Sequence, residues 1–153
     1  MTHVLLPVLF FSRRADSARV VGRAVELVAG GLGRRVVAGL LGRPLGTVRG
    51  WLRSAGVAAR AGPEVFGAMA AEVAPDAARV APGPAGSLVG GLVASLSALA
   101  AAVGARWGVA APGWEAVGAA ACRCRLLQAS WWASKAQHEL ALPPPWWAGP
   151  GLV

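Results

Sequence analysis

Carboxylates are scarce in this chain, and so is everything else that acid–base or metal chemistry uses. Seven Asp and Glu, two His and two Cys are spread over 153 residues. A two-metal nuclease or transposase core needs several carboxylates converging on Mg²⁺. Beyond residue 60 the candidates are Glu64, Glu72, Asp76, Glu115 and Glu139. Glu72 and Asp76 are four apart, but Pro75 stands between them and no alternating strand pattern surrounds them. Cys122 and Cys124 are too few for a disulfide framework. With His138 they make three candidate zinc ligands and lack a fourth at a suitable spacing. No general base lies near Cys122 in sequence. The run Gly30-Gly31-Leu32-Gly33-Arg34-Arg35 lacks the Lys-Ser/Thr pair that a P-loop requires. The inventory points away from an enzyme, and neither cofactor nor metal is expected.

Ile, Asn and Tyr are absent, and there is one Lys, so 14 of the 15 basic residues are Arg. A GC-rich coding sequence produces such a bias, and the surplus alone says nothing about function. Its placement does. Residues 1–60 carry ten Arg against Asp16 and Glu26, a net charge of +8, while residues 61–153 carry five basic and five acidic residues and are neutral. All the net charge therefore sits on the first segment, as expected of a surface that neutralises phosphates and releases counterions. The opening run MTHVLLPVLFF is apolar but lacks a basic leader and a small-residue cleavage site. A cytoplasmic, nucleoid-associated bacterial protein is expected. A hydrophobic fraction of 56% suffices for a core and excludes wholesale disorder, although alanine buries little area per residue.

The basic segment also holds the most ordered pattern, RRVVAGLLGRPLGTVRGWLRSA from Arg34 to Ala55. Val37, Ala38, Leu40 and Leu41 give a first short helix an apolar face. Gly42 ends it, because a residue without Cβ enters the left-handed region freely. Pro44 is suited to the first position of the next helix, where no N–H donor is needed. Val48, Trp51 and Leu52 form that helix's buried face. Arg49 and Arg53, four apart, fall together on another face, where two arginines would lie along a DNA groove. The spacing predicts a helix-turn-helix.

Ala38, Leu41, Gly42, Pro44, Thr47, Val48, Trp51, Leu52 and Arg53 spell small-x-x-Leu-Gly-x-Pro-x-x-Thr-Val-x-x-Trp-Leu-Arg. This pattern resembles the DNA-binding head of bacterial transposases, and most of all a set of actinobacterial helix-turn-helix proteins related to them. The resemblance covers roughly the first third of the chain. It implies a trihelical, homeodomain-like head with Pro44–Ala55 in the major groove. In such proteins a zinc ribbon precedes this head. Of the two Cys or His pairs a ribbon needs, only His3, which resembles its exit, is found here, so the expectation is either a lost ribbon or a true start upstream of Met1. Arg43 replaces the usual apolar residue after the turn glycine, and Gly46 loosens the start of the recognition helix. Both departures imply a modest affinity.

Asp16 is the expected N-cap of a first helix over about residues 17–29, with Val20, Val21, Ala24, Val25, Leu27 and Val28 as its apolar stripe. Arg13 and Arg14 would be an arm reaching the minor groove or a solvated pair. After Trp51 the helix is expected to run to about Arg60, with Pro63 starting another. Residues 75–86 read as a Pro/Gly/Ala linker. Ser87 should cap an Ala-rich helix to about Trp107; its length would suit a membrane, but its Ala, Gly and Ser content favours a buried helix, and no membrane partner is expected. A further helix is expected over Trp114–Leu127, then an irregular tail with Trp131-Trp132, Pro143-Pro144-Pro145 and Trp146-Trp147.

The expected organisation is all-α: a helix-turn-helix domain over 13–60, a helical accessory region over 61–127 and a tail over 128–153. The expected function is non-catalytic binding of double-stranded DNA, as a transposase-like or regulatory protein. The DNA-binding residues would be Arg43, Pro44, Leu45, Gly46, Thr47, Arg49, Gly50 and Arg53, with Arg13, Arg14, Arg34 and Arg35. Thr47 and the helix amides would hold phosphate, and Arg49 and Arg53 would contact base edges or backbone, with Arg43 flanking. Three alternatives stay open: a protein-interaction module in which residues 87–127 self-associate as a homodimer, a membrane-attached protein, and a decayed mobile-element remnant.

Overall fold

A computed structural model of the chain describes residues 16–76, 86–122, 125–128, 130 and 132. Among the described residues are five α-helices and no strand: α1 (Ala18–Ala29), α2 (Arg34–Leu40), α3 (Leu45–Val73), α4 (Leu88–Trp107) and α5 (Trp114–Ala121). The protein is all-α. His3, Arg13, Arg14, Cys124, His138 and most of the linker and tail lie outside the described residues.

Ser17, not Asp16, caps α1: its hydroxyl accepts from the Val20 amide at 3.4 Å. Asp16 is drawn elsewhere, because its carboxylate accepts from the Arg43 guanidinium at 2.6 Å. Ala18, Val21, Ala24 and Val25 form the buried stripe of α1, and Val20, Leu27 and Val28 pack at its half-buried margin. α1 and α2 stop in the same way. Gly31 and Gly42 take φ of 97° and 60°, a region that strains any residue with a Cβ. The following amides then reach back over the turn, Leu32 to the Leu27 carbonyl and Arg43 to the Ala38 carbonyl, both at 3.0 Å. Those bonds satisfy carbonyls that a helix end otherwise leaves free.

In α2 the buried residues are Val37 and Ala38. Leu40, expected beside them, is 63% exposed together with Val36 at 56%. In so short a helix, positions 37, 38 and 41 already make the inward edge, and 40 shares the outward face with 36. Pro44 stands one position earlier than expected, as N-cap of α3 with φ −55°. Its carbonyl accepts from the Thr47 and Val48 amides at 3.0 and 3.2 Å.

The expected end near Arg60 and restart at Pro63 do not occur. α3 is one helix of 29 residues with Pro63 inside it, so the boundary expected at residue 60 falls within a helix. Proline there removes a hydrogen bond and costs about 3 kcal/mol in an isolated helix. Packing offsets the cost. Ala58, Ala59, Gly62, Phe66 and Met69 are buried along this part of α3, and α4 makes with α3 the most extensive helix–helix contact in the fold. At Gly62 a Cβ would lie 2.7 Å from Leu92 Cδ1, so the missing side chain lets Leu92 of α4 pack directly onto the α3 backbone.

α4 forms as expected, with the Ser87 hydroxyl accepting from the Gly90 amide at 3.0 Å. Leu92, Leu96, Leu99 and Val103 are almost fully buried, and burial of such side chains contributes about 1.5–3 kcal/mol each. By length and composition α4 could also cross a membrane: an 18-residue stretch of it has a mean hydropathy of 2.0, and 44% of that stretch is buried. α5 is shorter than expected, ending at Ala121 with Cys122 as C-cap. Beyond it Leu126 and Leu127 are buried in a turn. Trp132 folds back, donating its indole N–H to the Leu126 carbonyl at 2.8 Å and meeting Phe66 edge-on at 6.1 Å. One hydrophobic cluster runs from Ala18 in α1 to Trp132, and α1 touches α2, α3, α4 and α5.

Candidate nucleic-acid interface

The first turns of α3 are sharply two-sided. Val48, Trp51, Leu52 and Ala55 are buried, Val48 completely. Gly46, Arg49, Gly50 and Arg53, at spacings of three, one and three, share the opposite side. Arg49, Arg53 and Gly46 are exposed and Gly50 is half-buried. A Cβ at Gly46 or Gly50 would meet nothing within 4 Å, so neither glycine is imposed by packing. Their effect is to leave the α3 backbone without a side chain one turn before Gly50 and again at Gly50, between Arg49 and Arg53. A groove-sized partner can therefore approach the helix axis more closely than it could over larger side chains.

Every arginine described between residues 16 and 60 is exposed: Arg19, Arg23, Arg34, Arg35, Arg43, Arg49, Arg53 and Arg60. The two carboxylates in this segment are both engaged. Asp16 holds Arg43, whose Nη1 also donates to the Gly42 carbonyl at 3.4 Å. Glu26 accepts from the Trp114 indole at 2.7 Å through one oxygen and from Arg23 at 3.3 Å through the other. Among the described residues these are the two ion pairs. Arg34, Arg35, Arg49 and Arg53 carry unneutralised charge.

The residues singled out from sequence do not all fall on one surface. Arg49, Arg53, Gly46 and Gly50 come together on α3, and Arg34 and Arg35 open α2 at exposed positions. Thr47 is half-buried and Pro44 exposed. Leu45 is half-buried and packs against the core. Arg43 is tied back to α1. A groove of about 580 Å³ between α1, the end of α2 and α5 is lined by Arg19, Val20, Arg23, Glu26, Leu41 and Glu115. Its two arginines face two carboxylates, so it has no net preference for an anion. Arg60, which the reading of the motif passed over, stands exposed on the same unbroken helix as Arg49 and Arg53. Its spacing of seven from Arg53 was the available signal, obscured by the expectation that the helix stopped there.

No protein-family model matches the chain, and no curated protein or solved structure does.

Proposed function

We propose that this protein binds double-stranded DNA without catalysing a reaction, through a helix-turn-helix formed by α2, the Gly42 turn and the first turns of α3. α1 completes a trihelical, homeodomain-like head. α3 enters the major groove with Arg49 and Arg53 at base edges or phosphates, and Gly46 and Gly50 allow the close seat. Arg34 and Arg35 hold backbone phosphate, which positions the head without reading sequence. The bacterial transposase heads that the motif resembles supply the same expectation, and the cytoplasmic nucleoid is the corresponding location. α4 is read as a core helix, supported by its buried leucines against α3.

One observation carries the reading: two unpaired, exposed arginines flank bare glycine on the outer side of a helix whose inner side is locked by Val48, Trp51 and Leu52. Replacing both arginines removes charge without touching the core. The double variant Arg49→Glu/Arg53→Glu should lose duplex binding by at least about 30-fold, since each such contact is worth about 1–3 kcal/mol. Its far-UV circular dichroism should match the parent chain. Unchanged duplex affinity in a folded double variant would refute the proposal.

A further inference from the structure

The basic stripe of α3 does not stop where the motif does. Arg49, Arg53, Gly56, Arg60, Glu64 and Gly67 recur at spacings of four, three, four, four and three along one continuous helix, which places them on a single face. Arg49, Arg53, Arg60, Glu64 and Gly67 are exposed along it, and Gly56 is half-buried. With a rise of 1.5 Å per residue, Arg60 stands about 16 Å beyond Arg49. The major groove is about 12 Å wide and curves around the duplex. A straight helix seated with Arg49 and Arg53 at the base edges has therefore left the groove by the level of Arg60. What it meets there is the sugar-phosphate wall.

The surroundings of Arg60 fit an anionic partner. Glu64 lies four residues further on, a spacing at which helical ion pairs form, yet the described ion pairs are Arg23–Glu26 and Arg43–Asp16. Arg60 is left charged and unneutralised, pointing from the same stripe as the two motif arginines. One turn later the sign reverses at Glu64, which a phosphate would repel, so the stripe has a defined end.

We propose that Arg60 holds a backbone phosphate of the duplex that Arg49 and Arg53 enter, so that the DNA-binding element is α3 from Leu45 to Arg60. The inference rests on the duplex-binding reading above and extends it by one strand-crossing contact. Arg60 clamps; it does not read bases.

The test uses the full chain and fluorescence anisotropy on two duplexes of unrelated sequence, titrated across salt, with Arg60→Ala and Arg60→Lys beside the parent. Each phosphate contact contributes about −0.9 to the log–log slope. Arg60→Ala should make the slope shallower by about 0.9 on both duplexes, so its deficit against the parent narrows about three- to fourfold between about 50 and about 200 mM salt. Its relative preference between the duplexes should not move. Arg60→Lys keeps the charge and should keep the slope. A parent slope retained in Arg60→Ala, with Arg49→Glu/Arg53→Glu still abolishing binding, would overturn the Arg60 contact and leave the groove reading standing. Binding unaffected by Arg49→Glu/Arg53→Glu would overturn the reading on which the contact rests.

Discussion

Asp16 and Arg43 are 27 residues apart in sequence and joined at 2.6 Å in the fold. The spacing of the motif places Arg43 beside the turn, where it reads as a DNA contact. Nothing local in the sequence says that a carboxylate from before α1 will reach it. Under the proposed duplex binding, Asp16 would compete with phosphate for the same guanidinium. The pair is partly exposed, so its contribution to stability is about 0–1 kcal/mol, and under the proposed duplex binding its larger effect would be on the charge available to DNA. Asp16→Asn should leave the melting temperature almost unchanged, strengthen duplex binding and steepen its salt slope by about 0.9. A folded Asp16→Asn chain with the parent slope would show that Arg43 does not reach phosphate even when released. Glu26 is spoken for in a similar way by Trp114 and Arg23. The two acids of the basic segment thus do different things from what a net-charge count suggests: each is held in a contact within the fold, and the exposed charge is left to the arginines.

At the scale of elements, α3 is where local sequence signals and tertiary packing part company. Its first half was legible. Val48, Trp51 and Leu52 turn inward and Arg49 and Arg53 outward, as the period of the helix requires. Its second half was not, because Gly56, Gly62 and Pro63 are all helix-breaking by intrinsic preference. What overrides them lies far along the chain: Leu92 of α4, 30 residues on, fits over Gly62, and Phe66 meets Trp132, 66 residues on. A window confined to α3 contains neither partner. The continuous helix makes a prediction that a broken one would not. Pro63→Ala restores the missing N–H and removes a ring from a helix interior, so it should stabilise the protein by about 1–3 kcal/mol in urea unfolding. If a helix began at Pro63, the proline would suit its first turn, and its removal would bring no gain or a loss. The caps divide along the same line. Gly42 and Ser87 were readable because their partners are three to five residues away, whereas the N-cap of α1 moved to Ser17 once Asp16 found Arg43.

On the scale of the whole molecule, the helices that carry the arginines and the apolar second half share one core. α3 spans both, and α1 reaches α4 and α5, so the basic segment is braced rather than free-standing. Roughly 50 residues alone would sit near the lower limit for a stable core, which is a physical reason for the shared arrangement. Composition announced the apolar half without saying what it covers: an Ala-rich helix can pack anywhere that close approach is possible. The docking of Trp132 was similarly hidden, since an isolated Trp pair carries no periodicity. Trp132→Ala removes an edge-on ring from Phe66 and the donor from the Leu126 carbonyl, and it should cost about 3–5 kcal/mol of unfolding free energy. A loss below about 1 kcal/mol would mean that this part of the chain does not complete the core. The most direct test of DNA binding by the charged side of α3 is anisotropy of the full chain on a mixed-sequence duplex across salt, with Arg49→Glu/Arg53→Glu run in parallel. The parent slope should be about −3 to −6, matching several arginine–phosphate contacts at about −0.9 each, with near-complete loss of binding in the double variant. Flat, weak binding by a folded parent chain would contradict DNA binding by this side of α3.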